Sequence, residues 1–290
     1  MEFLKRYIVF AVLAFLLMNQ VCLGQSTTGP KKGSLVVVGG GGAGEEILKK
    51  FIELAGGEDQ KLIVIPTAAG RDSYDQNAGV ADRLRALGAK DVLVVHTNDK
   101  AVANSDQFLA AMEGAMGIWF GGGRQWRLVD AYGDTKTEDF FWKVLDKGGV
   151  IGGSSAGATI QGSYLARGDT KNNQIMMGDH EEGFGFISDI AIDQHLLRRN
   201  RQFDLLEITA AKPELLGIGL DEDTAIVVRN NRFEVIGNSY VVIYDNERQI
   251  DSGGSFYFLE PGDQFDFEER QAYRPGRTLM PLDRIVDAEQ

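Results

Sequence analysis

The chain has 290 residues, of which 43% are apolar and 25% charged, values of an ordinary globular protein that exclude disorder, collagen-like repeats and coiled coil. Its 42 acidic and 30 basic residues give a net charge of −12, so the chain as a whole lacks the basic footprint of a sequence-independent nucleic-acid binder. The 36 glycines, against about 20 at average frequency, predict many tight turns.

Residues 1–24 read as a secretory signal peptide. Lys5 and Arg6 open it, Tyr7 to Met18 is an apolar run of 12, and Cys22 and Gly24 stand at the −3 and −1 positions of a cleavage site before Gln25. The run is too short to span a bilayer comfortably, and no later apolar stretch approaches membrane length, so a secreted or periplasmic product without a membrane anchor is expected. Cleavage removes Cys22, the only cysteine, which excludes a cysteine nucleophile and a cysteine-ligated metal.

Residues 25–33 are polar and read as a flexible arm. From residue 34 short apolar runs alternate with helical patterns. Strands are expected at 34–38, 61–65, 91–96, 117–120 and 149–152, and helices at 45–54, 78–87, 105–113, 137–146 and from Ala156 onward. That alternation predicts an α/β fold with a mainly parallel sheet, and continuous runs such as Val36-Val37-Val38 suit strands buried on both faces. After residue 210 short strands at 217–219, 224–229, 232–236 and 239–244 predict an antiparallel, strand-rich extension of the same domain, with a hairpin turn at Asn230-Asn231.

The sharpest motif is Gly153-Ser-Ser155-Ala-Gly157, a G-x-S-x-G after a strand and before a helix. That is the context of a nucleophile elbow, in which a tight turn lifts the serine hydroxyl over the sheet's C-terminal edge. The Ala156 N–H would then point at a developing oxyanion. A second glycine cluster, Gly121-Gly122-Gly123 before Arg124 and Gln125, should open at the same edge, where Gly122 or Gly123 could complete the oxyanion hole and Gln125 hold substrate.

A serine nucleophile needs a base, and there are three histidines, His96, His180 and His195. Chemistry alone favours His195, which follows Asp193 and Gln194 and precedes three arginines, with His180 second. The histidines lack the spacing of a metal helix, and neither metal nor cofactor is expected. Gly39, Gly41 and Gly44 fit G-x-G-x-x-G, but no acidic residue ends the second strand, so this loop reads as a close-packing turn rather than a dinucleotide site.

Four motifs in order carry a family resemblance: Phe120 to Gln125, Gly153 to Ala158, Asp193-Gln194-His195 with its trailing arginines, and Gly217 to Ala225. Over roughly residues 33–245 the chain resembles the cyanophycinase family, serine peptidases related to aspartyl dipeptidase. The resemblance implies a flavodoxin-like, doubly wound sheet with helices on both faces, akin to class I glutamine amidotransferases. It implies Ser155 as nucleophile and His195 as base. It implies Glu222 as the acid orienting His195, with Asp169 the alternative that related dipeptidases suggest. It places Gln125, Asp193, Gln194, Arg199 and Arg201 around the substrate.

The implied substrate is cyanophycin, a poly-aspartate backbone with arginine on each side-chain carboxyl, or a related β-aspartyl peptide. Asp204 departs from the family pattern, which has a basic residue there, and so puts the substrate in question. The competing readings are an α-aspartyl dipeptidase and a catalytically silent binder of acidic peptides. A homodimer is compatible with the sequence, which fixes no oligomeric state. A carboxylate beside His195 is expected to raise its pKa, which puts the acid limb of activity near or above about 6.5.

Overall fold

The computed structural model describes residues 27–250, 254–276, 280–281 and 285–287. The expected signal peptide, 1–24, lies outside the described residues.

Five parallel strands form the centre of the main sheet. They are β1 (Ser34–Val38), β2 (Lys61–Ile65), β3 (Asp91–Val94), β4 (Ala115–Phe120) and β5 (Val150–Ser154), in the order β3-β2-β4-β5-β1. Every residue of β1 is buried, yet the pleat sends its side chains to opposite faces. Leu35 and Val37 join one apolar cluster, and Val36 and Val38 another.

On the second face lie α1 (Glu45–Leu54) and α2 (Ala81–Ala86). Helix α1 buries Ile47, Leu48, Phe51 and Ile52 and carries Glu45 and Glu46 in its first turn, where carboxylates suit the helix dipole. The first face receives α3 (Lys100–Ala103), α4 (Asp106–Met112), α5 (Trp126–Tyr132) and α6 (Lys136–Asp146). Ser105 and Thr135 cap α4 and α6 by accepting from the amides of Phe108 and Glu138. Helices therefore cover both faces, as a doubly wound sheet requires.

The extension after residue 210 does more than lengthen this sheet. Strands β9 (Thr224–Arg229) and β10 (Arg232–Gly237) add antiparallel beside β1, joined by a turn in which Asn230 has φ 49°. Strands β14 (Gln264–Asp266), β15 (Gln271–Arg274) and β16 (Met280–Pro281) continue that edge.

A second, five-stranded sheet also forms. Its parallel strands are β6 (Gly162–Tyr164), β7 (Ile187–Gln194) and β8 (Leu216–Leu220); β11 (Val241–Tyr244) and β13 (Tyr257–Leu259) complete it antiparallel. Ile190, Ile192, Ile218 and Leu220 of this sheet share one core with Leu35 and Val37 of β1. The sequence reading did not contain this sheet.

Two local expectations are corrected. Residues 27–30, the described part of the supposed flexible arm apart from 31–33, are tied down. Thr28 N–H donates to the Asn231 side chain, Gly29 N–H to the Asn230 carbonyl, and the Thr28 carbonyl accepts from Ser188. A backbone that satisfies its polar groups against β7 and the turn between β9 and β10 has no reason to float. The helix expected from Ala156 onward is a single turn, α7 (Ala156–Thr159), because the chain must enter β6 only a few residues later.

Candidate active site

Five strand ends meet at one place. Ser155 follows β5, His195 follows β7, Glu222 lies two residues beyond β8, Gly39 to Gly44 follow β1 and Gly121 to Gly123 follow β4. Backbone bonds hold these segments together across the two sheets. Ser155 N–H donates to Val38 (3.0 Å), His195 N–H to the Gly39 carbonyl (2.7 Å) and Asp223 N–H to the Gly40 carbonyl (3.0 Å).

Ser155 sits at φ 58°, ψ −114°, a region that side chains avoid and that tightly packed surroundings must enforce. The enforcement is visible. A Cβ on Gly153 would lie 2.2 Å from the Gly157 carbonyl, and one on Gly157 2.1 Å from the Phe120 carbonyl. His195 also has positive φ, 54°.

Ser155 Oγ lies 2.9 Å from His195 Nε2, and His195 Nδ1 lies 2.6 Å from Glu222 Oε1. A carboxylate at Nδ1 fixes the tautomer with the proton on Nδ1, leaving Nε2 to accept from the serine. Asp169, the alternative acid, is elsewhere: its Oδ1 accepts from the amides of Lys171 and Asn172.

The His195 pKa is lowered, not raised as expected. Burial of the ring comes first among the causes. The bond and charge of Glu222 push the other way, but the nearby Arg199 and Arg201 charges add to the lowering. The sequence expectation counted only the carboxylate.

Gly122 lies against the serine: a Cβ there would stand 3.3 Å from Ser155 Cβ and 3.8 Å from Oγ. Gly121 N–H donates to Ile65 and Arg124 N–H to Ala68, while the Gly122 and Gly123 amides take no backbone acceptor among the described residues.

The structure gives most of the predicted substrate contacts partners inside the protein. Gln125 is fully buried, with Nε2 donating to the carbonyls of Ala166 and Arg167. Asp193 is fully buried and takes a two-pronged bond from Arg167, Nε to Oδ1 at 2.8 Å and Nη2 to Oδ2 at 3.0 Å. Gln194 is buried under Arg201, whose Nη1 donates to both its carbonyl and its Oε1. With Arg201 these side chains are buried against internal partners, and Gln125 Oε1 is left without one among the described residues. Arg199 is exposed and makes no ion pair among the described residues, which leaves it open to a ligand.

Three functional neighbours escaped the sequence reading. Arg167, a lone arginine in a loop with no motif, is fully buried and also donates to Asp204. Asp204 therefore pairs with Arg167, whose guanidinium it shares with Asp193. Asp221 Oδ1 accepts from the amides of Leu197 and Arg198 just past His195. Gly40 supports the His195 ring itself: a Cβ there would lie 2.3 Å from Cε1. The other two histidines sit in separate bond systems, His96 with Thr67 and His180 with Asp130 and Asp179.

Comparisons with known proteins place the chain in a family. The sequence profile of Peptidase family S51 matches residues 35–236. A cyanophycinase of Geminocystis herdmanii (strain PCC 6308) is 33% identical over 214 residues, which is 70% of this chain and 76% of that protein. A cyanophycinase of Trichormus variabilis is 31% identical over 208 residues, 70% of this chain and 69% of that one. Among solved structures, a peptidase from an acI-B1 Actinobacterium superposes with a TM-score of 0.63 at 26% identity, covering 82% of this chain and 98% of its own. A putative peptidase E protein from Listeria monocytogenes shares the fold at a TM-score of 0.51 and 17% identity. With a family profile spanning more than half of its length and relatives of this similarity, the chain belongs to peptidase family S51 and is a serine-type peptidase.

Proposed function

We propose that this protein is a secreted, cyanophycinase-like exopeptidase that hydrolyses β-aspartyl peptide bonds through Ser155, His195 and Glu222. The observation that carries the reading is the continuous bond chain from Ser155 Oγ through both ring nitrogens of His195 to Glu222. Neutral His195 takes the Ser155 proton as Oγ attacks the carbonyl carbon, and the imidazolium then gives that proton to the leaving nitrogen. Glu222 holds the ring and stabilises its charged form. The Ala156 and Gly122 amides, with Gly123 beside them, receive the oxyanion. Water, activated by the same His195, releases the acyl group and restores the serine.

Arg199 is the group available to a substrate carboxylate, since a guanidinium fork suits that partner. Secretion rests on the charged start, short apolar run and small-residue cleavage site of residues 1–24.

The test is incubation of the purified protein with cyanophycin, followed by mass analysis of products. Release of β-Asp-Arg dipeptide is expected from the wild type and not from Ser155→Ala. Full activity of Ser155→Ala, or release of Asp from Asp-X dipeptides with no attack on the polymer, overturns the reading. Amino-terminal sequencing of protein from the culture medium or periplasm should start at Gln25.

A further inference from the structure

The five-stranded sheet ends in β13, and its neighbourhood exposes large aromatic side chains. Phe203 is 60% exposed, Tyr240 44% and Phe258 40%. With Phe256 they form an unbroken series of ring contacts: Phe203 to Phe256 at 5.8 Å, Phe256 to Phe258 at 5.9 Å, and Phe258 to Tyr240 at 5.8 Å. Contiguous exposed aromatics on a soluble protein mark a contact surface.

The two ends of the series adjoin the segments that carry the triad. Phe203 lies between Arg201 and Asp204, on the stretch that follows His195. Tyr240 gives its carbonyl to the amide of Asp221, the residue before Glu222. Tyr240, Phe256 and Phe258 all lie beyond residue 236, where the match to the family profile ends.

We propose that these four rings are an accessory subsite for the arginine-bearing chain that leads to the scissile bond; this rests on the cyanophycinase-like reading. Aromatic faces attract cations and stack guanidinium groups, which distinguishes them from a merely apolar contact. Successive rings step by 5.8 to 5.9 Å, close to the ~6.6 Å between side chains on one face of an extended chain.

A second copy of the protein fits the patch less well. Three half-exposed rings amount to about 300 Å², given ~150–250 Å² per aromatic side chain. A stable pairing buries about 800 Å² per partner.

The experiment uses full-length Ser155→Ala, which should hold the polymer without cutting it. Its binding to insoluble cyanophycin is measured by co-sedimentation, with arginine-free poly-aspartate as the comparison. Adding Phe203→Ser and Phe258→Thr should weaken binding to cyanophycin about tenfold and leave binding to poly-aspartate unchanged. Both side chains are exposed, and a thermal melt checks that the double variant folds; Tyr240→Ser is the second variant should it fail.

Undiminished binding to cyanophycin overturns the subsite, as does an equal loss on poly-aspartate or no binding by the parent. A dimer in sedimentation velocity that the substitutions dissociate also overturns it and assigns the rings to a second copy. The outcome is separable from the activity. Wild type that cleaves cyanophycin while binding is indifferent to the rings keeps the peptidase reading and loses the subsite. Ring-dependent binding without cleavage does the reverse.

Discussion

Gly40 and His195 are in direct packing contact: a methyl group on Gly40 would lie 2.3 Å from Cε1 and 2.5 Å from Nδ1 of the ring. Gly40 also has φ +128°, which a side chain resists. The loop after β1 thus forms the floor under the proposed base, and the next glycine does the same for the proposed acid, since a Cβ on Gly41 would meet Glu222 Cβ at 2.8 Å.

Gly40→Ala should therefore push the imidazole off the Ser155 hydroxyl and lower kcat/KM by about 100-fold or more, the scale of an ångström-sized misplacement. Gly57→Ala is the control. It has φ +105° and open space around its Cβ position, so it should lose a little stability and no activity. Steady-state kinetics of both variants decide the point, and a fully active Gly40→Ala would contradict the floor.

The lowered His195 pKa sets the pH profile. The base must be neutral, and it stays neutral to lower pH than an unperturbed histidine at about 6.5. The acid limb of kcat/KM should thus have its midpoint below about 6.5. Glu222→Gln removes the one group that favours the imidazolium, so its limb should shift further toward acid while kcat falls. A limb that moves to higher pH in Glu222→Gln would mean that another carboxylate orients the ring.

Backbone strain at Ser155 predicts a trade of stability against activity. Glycine accepts positive φ at little cost, and a strained position costs on the order of 1–3 kcal/mol. Ser155→Gly should abolish turnover and raise the unfolding free energy by about 1 kcal/mol, read from the denaturant midpoint. Ser155→Ala, which keeps a Cβ, should abolish turnover without that gain.

The sealed ion pair between Arg167 and Asp193, with side chains 1% and 0% exposed, should be costly to break from one side. Arg167→Met leaves a buried carboxylate uncompensated, a loss of about 3–5 kcal/mol. Arg201, 3.9 Å from the same carboxylate, offsets part of it. The double variant Arg167→Met/Asp193→Leu should recover part of the loss, because the uncompensated buried carboxylate is gone, while Arg201 loses its neighbour and Asp204 its partner. Equal stability of single and double variants would show that the pair matters through packing and not charge.

Much of the chemistry was legible along the chain, because it depends on local spacing. Gly153 and Gly157 around Ser155 announce a turn too tight for side chains, and the apolar runs before and helical periods between announce a parallel sheet. The periodicity of β1 and α1 follows from burial alone. What the linear order could not supply is anything made by contacts between distant segments. The second sheet depends on β7 pairing with β6 and β8, and residues 187–194 show neither clean alternation nor a bounding turn. The partner of His195 was settled when the fold placed Glu222, 27 residues on, at Nδ1 and left Asp169 in a turn of its own.

Burial decided the rest. Asp193, Gln194 and Arg201 carry the residue types of a binding site, but tertiary packing gave each an internal partner, Arg167 among them. It also desolvated His195, reversing the pKa direction that its carboxylate neighbour alone implies. Residue type fixes which interactions a side chain can make; only the folded surroundings determine whether water, substrate or another part of the chain makes them.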